Sequence, residues 1–194
     1  MIQIHQANPD MAPQIAPLIM EAMNTECCQY FAGPEHTLDD FREMMISLIR
    51  RDDSQYSYRN ALVAVTAQEE IIGVCITYDG GQLHSLRKAF IQAAKDAFGR
   101  DFSNMDDETE SGELYIDSLC VRQEYRGQGI ATLLLKAAID RAKSLEIPLV
   151  GLLVDKGNPH AEHLYKRVGF QYANDSAWGG HQMRHLTFRV SPKG

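Results

Sequence analysis

A strand, a glycine-bearing turn and a helix follow one another between Leu114 and Leu145, and this succession constrains the fold more than any other feature of the sequence. The apolar run 114–121 comes first, residues 126–129 (Arg-Gly-Gln-Gly) form the turn, and a helical apolar stripe begins at Ile130. Glycines let the backbone approach a ligand closely. The first N–H groups of a helix have no intrahelical partner and carry partial positive charge. The segment therefore predicts an anion-binding turn that suits a pyrophosphate.

The arrangement of the glycines excludes two common nucleotide-binding loops. Residues 126–131 do not end in Gly-Lys-Ser or Gly-Lys-Thr, so the turn is not a Walker loop. They also lack the third glycine that the dinucleotide-binding fingerprint requires. On the local pattern alone, a glycine-softened turn after a strand remains open as a purely structural alternative.

A second segment, from residue 149 to residue 170, has an equally consistent local pattern. The apolar residues 149–154 predict a short buried strand, which a turn and a helix follow. Asn158 suits the N-cap of that helix, and Pro159 suits its first position because a proline there loses no hydrogen bond. Gly169 stands where a helix end favours a residue that can adopt positive φ. The sequence thus predicts a strand–helix–strand unit after the glycine turn.

Together, these two segments resemble the GCN5-related N-acetyltransferases (the GNAT family). Residues Arg126–Ala131 are similar to the family's coenzyme A loop, Arg-x-x-Gly-x-Ala. The second segment carries the residues of the family's other signature, which are Asn158, Ala161, Tyr165, Gly169 and Phe170. The resemblance implies an α/β fold with a mixed, mostly antiparallel central sheet that is splayed at the cofactor strand and flanked by helices. No repeat or low-complexity tract interrupts the chain, so residues 1–194 are expected to form a single N-acetyltransferase domain.

The resemblance implies that the chain moves the acetyl group of acetyl-CoA to a primary amine by direct attack, without a covalent enzyme intermediate. Cys120 has no evident histidine partner for an acyl-cysteine route. Three alternatives remain open: transfer of another acyl group, transfer to a protein or peptide amine, and a non-catalytic regulatory module that binds acetyl-CoA. The presence of Asn158 and Tyr165 favours catalysis over sensing.

The resemblance also assigns residues to the acetyl-CoA site. The backbone of Leu119, Cys120 and Val121 is expected to pair with the pantetheine arm as an added strand would. The pyrophosphate is expected at the coenzyme A loop, whose members are Arg126, Gly127, Gln128, Gly129, Ile130 and Ala131. Asn158 is expected to hydrogen-bond the cofactor arm, although a role as a helix cap alone would also explain it.

The proton transfers need an acid and a base. In the family, a tyrosine at the position of Tyr165 gives a proton to the departing thiolate, and a phenol with a pKa near 10 suits that role; a core tyrosine is the alternative. For the base, Asp117 and Glu113 are the candidates, since Tyr115 stands at the offset where some members carry a glutamate. A β-bulge would change which of these side chains share a face. Ordered water could replace a side-chain base, and Asp117 could be only a structural acceptor.

The charge balance bears on partners and location. A net charge of −7 argues against nucleic acid as a partner and is compatible with a cationic acceptor. No apolar run reaches membrane-spanning length, and the first residues lack a basic region followed by an apolar one. A cytoplasmic protein without membrane contact is therefore expected.

The cysteines and histidines do not indicate a metal site. Two cysteines are adjacent and two lie in apolar strand runs, so reduced thiols are expected at Cys27, Cys28, Cys75 and Cys120. Two closely spaced histidine pairs lack a nearby third ligand, so no metal is expected at His160, His163, His181 and His185.

Hydrophobic periodicity and turn residues predict the remaining elements. Strands are predicted over 2–7, 61–66, 71–78, 170–173 and 183–190, with 61–66 and 71–78 forming a hairpin. Helices are predicted after Pro9 and after Thr37, and the helix that begins at Ile130 is expected to bury Leu133 and Leu145 among its apolar residues.

A helix over residues 83–98 departs from the usual family pattern, which has a shorter connection there. Its apolar stripe consists of Leu83, Leu86, Phe90, Ala94 and Ala97, and Arg87 is expected to face elsewhere. Such a stripe is expected to pack beside the acceptor cleft, against the rest of the chain or against a second subunit, which leaves a homodimer open. The acidic segment 101–112 is expected to be a mobile loop at the cleft mouth that favours a cationic acceptor.

Overall fold

The computed structural model describes residues 1–192. The strands are β1 (Gln3–Gln6), β2 (Ala61–Val65), β3 (Ile71–Asp79), β4 (Glu113–Val121), β5 (Leu149–Asp155), β6 (Gln171–Trp178) and β7 (His181–Arg189). The helices are α1 (Ala12–Met23), α2 (Thr25–Ala32), α3 (Leu38–Arg50), α4 (Leu83–Phe98), α5 (Ile130–Ser144) and α6 (Pro159–Val168). All strands belong to a seven-stranded sheet with the order β1-β2-β3-β4-β5-β7-β6.

The sheet opens in its middle, between β4 and β5. These two strands run parallel and pair from Glu113 with Leu149 to Ile116 with Leu152. Beyond that point β5 continues against β7 as far as Asp155, while β4 continues against β3 as far as Val121. The other neighbouring strands are antiparallel. The predicted mixed, mostly antiparallel sheet that splays at the cofactor strand is therefore confirmed.

The sheet separates two hydrophobic cores. Helices α1 to α4 cover one face, where Ile19, Phe41 and Met45 are fully buried. Helices α5 and α6 cover the other face, where Leu134 and Leu186 are fully buried. The splay lies between these layers, so a ligand that enters it contacts the ends of elements from both sides.

Two helix starts show how far local chemistry determines the fold. Thr37 caps α3 as predicted: its hydroxyl accepts from the Asp40 N–H, and the Asp40 carboxylate accepts from the Thr37 N–H, which makes a complete capping box. Helix α2 was not predicted. It begins at Asn24, which has a positive φ of 72° and accepts a hydrogen bond from the Cys27 N–H at 2.8 Å.

The predicted helix over 83–98 is confirmed as α4, and Leu83, Phe90 and Ala94 are buried on it as expected. Two details were wrong. Arg87 is buried, and Ala97 is exposed. The helix packs on α2 and α3 of its own chain, so residues of this chain cover its apolar stripe. On α5, Leu133 and Leu145 are 42% and 55% exposed, which corrects the expectation that they are buried.

The acidic segment after α4 is held against the protein, contrary to the expectation of a mobile loop. The Arg87 guanidinium donates to the backbone carbonyl of Asp106 at 2.8 Å and to that of Met105 at 3.3 Å. Further along, the Thr109 hydroxyl donates to the Glu113 carboxylate at 2.7 Å. A buried cation thus fixes the backbone of the segment, a constraint that its charged composition did not reveal.

Of the helices in the described residues, none combines the length and the apolar character that a membrane crossing requires.

Candidate active site

A β-bulge places Asp117 at the point where the sheet opens. In the β3–β4 pairing, Ile76 lies opposite Ser118 and Thr77 lies opposite Ile116, so Asp117 is the extra residue. Its carboxylate accepts hydrogen bonds from Tyr78 Oη at 2.9 Å, Ser118 Oγ at 3.1 Å and Gln55 Nε2 at 3.3 Å. Burial raises the pKa of Asp117, and these hydrogen bonds oppose the increase.

A second carboxylate, Glu108, lies on the other side of the Tyr78 hydroxyl. Its Oε1 atom is 3.4 Å from Tyr78 Oη, and its Oε2 atom is 2.7 Å from an Arg87 nitrogen. The side chains of Glu108 and Arg87 are only 8% and 5% exposed. Burial raises the pKa of Glu108 to about 7, the Asp117 charge adds to this, and Arg87 opposes it. A carboxylate that titrates near neutrality is suited to proton transfer.

Glu113, the other predicted base, lies in a closed hydrogen-bonded network. One carboxylate oxygen is 2.7 Å from Thr109 Oγ1 and the other is 2.7 Å from His185 Nε2. His185 Nδ1 in turn lies 2.9 Å from the side-chain oxygen of Asn174 on β6. Both carboxylate oxygens of Glu113 are therefore engaged, and the network joins β4 to β7 and β6 below the splay.

The strand segment Leu119, Cys120 and Val121 has one paired edge and one unpaired edge. Its partners on β3 run from Cys75 to Gly73, whereas its pairing with β5 ends before Asp117. This geometry suits the predicted strand-like pairing with a pantetheine arm. Burial and the nearby Glu21 raise the pKa of Cys120 to about 12, so its sulfur stays a thiol at neutral pH.

The predicted pyrophosphate turn has an open backbone. Gly127 and Gly129 have φ values of 76° and 79°, and no other group lies within 4 Å of the position that a Cβ would take at either glycine. Gly129 is the N-cap of α5, and no side chain caps the helix there. The N–H groups that follow, at Ile130 and Ala131, belong to a helix start that a phosphate can satisfy.

Arg126 directs its guanidinium back toward the protein. It donates to the Val121 carbonyl through Nε at 2.9 Å and forms an ion pair with Glu21 of α1. Its charge is therefore shared with Glu21, while the backbone of Gln128 and its neighbours stays exposed.

Asn158 and Tyr165 occupy the two ends of one face of α6. Asn158 caps the helix, and its side-chain oxygen accepts from the Ala161 N–H at 3.2 Å, as predicted from the Asn-Pro pair. The Tyr165 ring contacts Phe170 edge-on with 6.2 Å between the ring centroids. Burial raises the pKa of Tyr165 to about 12, and Cys75, which lies opposite Leu119, adds to the increase. Its phenol is therefore protonated at neutral pH and lies near the cofactor strand.

The structure adds four residues to the site that the sequence reasoning missed: Gln55, Tyr78, Arg87 and Glu108. Helical spacing contained a signal for Arg87, which falls on the stripe of Leu83 and Phe90 at intervals of four and three residues. Tyr78 lies near the end of a buried strand, and Glu108 stands in an acidic run. The sequence therefore does not distinguish either residue from the residues beside it.

A groove of about 950 Å³ lies between α3 and α4 and is lined by none of the predicted site residues. Within residues 1–192 there is no group of three or more His, Cys, Asp or Glu side chains arranged to hold a metal ion.

The splayed sheet and the glycine turn at the start of α5 are the features of mixed α/β architecture that the sequence resemblance implied. A family model described as "Acetyltransferase (GNAT) family" matches residues 20–170. The chain belongs to this family, whose members use acetyl-CoA as co-substrate.

Individual relatives match shorter parts of the sequence. A spermine/spermidine N(1)-acetyltransferase from Bacillus subtilis is 28% identical over 83 residues, which are 42% of this chain and 55% of that protein. N-alpha-acetyltransferase 30 from Schizosaccharomyces pombe is 41% identical over 56 residues, 29% of this chain and 37% of that protein. The chain thus spans about half the length, or less, of these curated relatives.

Solved structures match nearly the whole fold. An N-acetyltransferase from Staphylococcus aureus Mu50 has a TM-score of 0.80 at 23% identity, and the match covers 96% of this chain and 100% of that one. A mutant form of the spermidine/spermine N-acetyltransferase from Vibrio cholerae has a TM-score of 0.59 at 16% identity, with 98% of this chain and 95% of that one covered. At these identities the likeness concerns the fold.

Proposed function

We propose that this protein transfers the acetyl group of acetyl-CoA directly to the primary amine of a small, cationic acceptor. The observation that carries the proposal is the position of Asp117. It is a carboxylate at the bulge where the sheet opens, in the middle of β4 and next to the strand edge at Leu119. A base placed there is within the region where an amine and a thioester would meet.

The acetyl-CoA site is proposed from the residues that the resemblance identifies. The open edge of Leu119, Cys120 and Val121 supports backbone pairing with the pantetheine arm. The open glycine backbone and the uncapped start of α5 support phosphate binding at residues 126–131. Asn158 keeps its amide N–H groups available for the cofactor arm while its oxygen caps α6. When bound, acetyl-CoA supplies the thioester carbonyl that the amine attacks.

Asp117 is proposed to act as the general base, and Tyr165 as the general acid. The acceptor nitrogen must lose a proton before it can attack, and Asp117 takes it. The departing thiolate must gain a proton, and Tyr165 donates one from its hydroxyl, whose raised pKa keeps it protonated at neutral pH. Glu113 is proposed to hold the strands together, because both of its carboxylate oxygens are already engaged by Thr109 and His185.

The acceptor class follows from charge. Asp117 and Glu108 place two carboxylates in the site, and Arg87 supplies one cation. An excess of negative charge favours an acceptor that carries positive charge. The Bacillus relative is named for spermine and spermidine, which are cationic amines, and this supports the same class of acceptor here.

Two further features of the assignment are proposals as well. The four cysteines are free thiols in the described residues, which supports a reducing compartment such as the cytoplasm. One catalytic domain is proposed for residues 1–194, with α4 and the acidic segment as its insert.

The test is thiol release from acetyl-CoA, measured across spermidine, spermine, simple diamines and a peptide with a free N-terminus. We expect release that depends on a small cationic amine. Tyr165→Phe should lower kcat by about 10²–10⁴-fold, the usual contribution of a positioned acid, with little change in acetyl-CoA affinity. Asp117→Asn should lower kcat/KM for the amine.

The other outcomes separate the alternatives. Release with the peptide alone would favour a protein or peptide acceptor, and acetyl-CoA binding without release for any amine would favour the regulatory module. Wild-type turnover in Tyr165→Phe would mean that Tyr165 is a core residue that only packs against its neighbours. Tyr172→Phe serves as the matched control, because Tyr172 is 54% exposed on β6.

A further inference from the structure

In the cluster around Asp117, two carboxylates share one hydroxyl donor. The Tyr78 hydroxyl lies between two carboxylates, 2.9 Å from Asp117 and 3.4 Å from Glu108. A hydroxyl has one proton and donates to one acceptor at a time, and the shorter distance assigns it to Asp117. Glu108 therefore receives no full hydrogen bond from Tyr78, while Arg87 and the Trp178 side chain lower its pKa.

Gln55 independently indicates a missing donor. The residue is only 4% exposed, and its Nε2 atom donates to Asp117. Its Oε1 atom is buried and has no hydrogen-bond partner among the described residues. Turning the amide over would place Oε1 against the Asp117 carboxylate, so the hydrogen bond fixes the orientation. A buried acceptor without a donor is unfavourable, and a ligand N–H group placed there would satisfy it.

The charges of the cluster are also unbalanced. Arg87 is the cation that contacts Glu108, and it also contacts Asp107, which is half exposed, at 3.3 Å. Asp117 and Glu108 together would carry two negative charges against the one positive charge of Arg87. Buried charges are stable when they are paired. The cluster therefore lacks one positive charge, and a primary ammonium supplies that charge together with an N–H donor for Gln55 Oε1.

The other ionisable groups near the two carboxylates do not supply that charge. They are Tyr78 on β3, Tyr115 on β4, Tyr56 before β2, and Cys27 on α2. Burial raises the pKa of each of the three tyrosines well above its usual range and that of Cys27 to about 11, and the Asp117 charge adds to each increase. All four are therefore neutral near pH 7.

We propose that Gln55, Tyr78 and Glu108 complete, with Asp117, a site that takes the acceptor amine in its ammonium form and removes its proton. This inference rests on the proposed function and adds the residues that recognise the acceptor. Gln55 Oε1 and the Glu108 carboxylate accept N–H bonds from the ammonium, and Arg87 of α4 holds Glu108 in place.

The proton has a defined route through this site. One N–H bond of the ammonium breaks, its electron pair stays on nitrogen, and the proton moves to Asp117. Asp117 passes a proton to the Tyr78 oxygen, which gives its own proton to Glu108, so Tyr78 is unchanged. The nitrogen is then neutral and can attack the thioester. Arg87 is a positioning residue, because it orients Glu108 and holds the acidic segment.

The experiment compares Glu108→Gln and Gln55→Met with Glu110→Gln, a control that makes the same chemical change at an exposed position of the same segment. Spermidine is the probe amine. Calorimetry without acetyl-CoA, in two buffers of different ionisation enthalpy, gives its affinity and the protons released on binding. The pH profile of kcat/KM is then measured with acetyl-CoA.

We expect the wild-type protein and Glu110→Gln to release a fraction of a proton on binding spermidine near pH 7. Glu108→Gln should lose that release, weaken spermidine binding by about tenfold, and lose the acid limb of the kcat/KM profile, with acetyl-CoA affinity unchanged. Gln55→Met should weaken spermidine binding by a few fold and keep the limb, because it removes an acceptor and no titrating group.

Two results would overturn the inference, and they are distinct from failure of the proposed function. One is wild-type spermidine affinity and proton release in Glu108→Gln. The other is an acid limb that stays in place in that variant. If instead the wild-type protein neither binds spermidine nor releases thiol with any amine of the panel, the proposed function fails and this inference fails with it.

Discussion

Glu113 is buried beneath Gly151 of β5, and a glycine is required at that position. A Cβ at residue 151 would overlap the Glu113 carboxylate, whose oxygens bond Thr109 and His185. The glycine is thus explained by close approach, since its backbone needs no positive φ. A buried carboxylate is stable here because donors satisfy both of its oxygens.

Gly151→Ala should therefore destabilise the protein by about 1–3 kcal/mol, since the methyl group displaces Glu113 from its hydrogen bonds and leaves His185 without its partner. Urea denaturation measures the change. Gly73→Ala is the comparison, because its methyl group would be tight against Leu134 without disturbing a charged group. If Gly151→Ala is as stable as wild type at pH 7, the Glu113 network contributes little to the fold.

At the scale of single residues, sequence reasoning identified Asp117 but not its surroundings. A carboxylate inside an apolar strand is unusual enough to be noticed from sequence alone. Glu108 stands among four other acidic residues of the segment 101–112, and only the position of Arg87 distinguishes it. That position depends on how α4 packs, which the sequence does not give. The expectation that the acidic segment favours a cationic acceptor stays a prediction, and the structure shows that Glu108 is a buried carboxylate of this segment.

The elements were predictable where a local rule determined them. The capping box of α3, the Asn-Pro start of α6 and the strand before the glycine turn follow from adjacent residues. Helix α2 was missed because it has eight residues and a weak apolar face. The hairpin of β6 and β7 was predicted as two shorter strands, although Gly179 and Gly180 at its turn carry the usual hairpin signal.

The glycine turn is the element whose backbone bears most directly on function. Gly129→Glu should abolish acetyl-CoA binding and leave the fold intact, because it adds a side chain and a negative charge where the pyrophosphate is proposed to lie. Space is available for the side chain in the free protein, although the φ of 79° adds some strain. Calorimetry with acetyl-CoA and circular dichroism measure the two effects.

Gly129→Asn separates the backbone strain from the charge, since asparagine tolerates positive φ better than other side chains. It should keep measurable acetyl-CoA affinity. Unchanged affinity in Gly129→Glu would remove the phosphate assignment from residues 126–131 and leave the turn as a structural connection.

At the scale of the whole molecule, the site exists because the sheet divides. β5 leaves β4 after Leu152 to continue with β7, and the bulge at Asp117 lies where this pairing ends. The sequence resemblance implied the splay, but the position of the bulge depends on the register of β3 against β4. The acidic segment closes one side of the gap only because α4 packs on α2 and α3.

Burying two carboxylates in that gap makes the stability of the whole protein depend on pH. Burial and the Asp117 charge raise the pKa of Glu108 to about 7 from an ordinary value of 4.5. Between pH 4.5 and 7 the folded protein therefore binds more protons at Glu108 than the unfolded chain does, so this group's contribution to stability falls as pH rises through that window.

The Glu108→Gln side chain cannot ionise, so this variant does not lose stability in that way as pH rises. Its Tm relative to wild type should rise by a few degrees between pH 5 and pH 8, because about 1 kcal/mol moves the Tm of a protein this size by roughly 2–4 °C. Differential scanning calorimetry at the two pH values measures this, with Glu110→Gln as the variant whose difference from wild type should stay flat. A Tm difference for Glu108→Gln that is the same at both pH values would mean that Glu108 is already ionised in the folded protein at pH 5, and that Arg87 outweighs its burial.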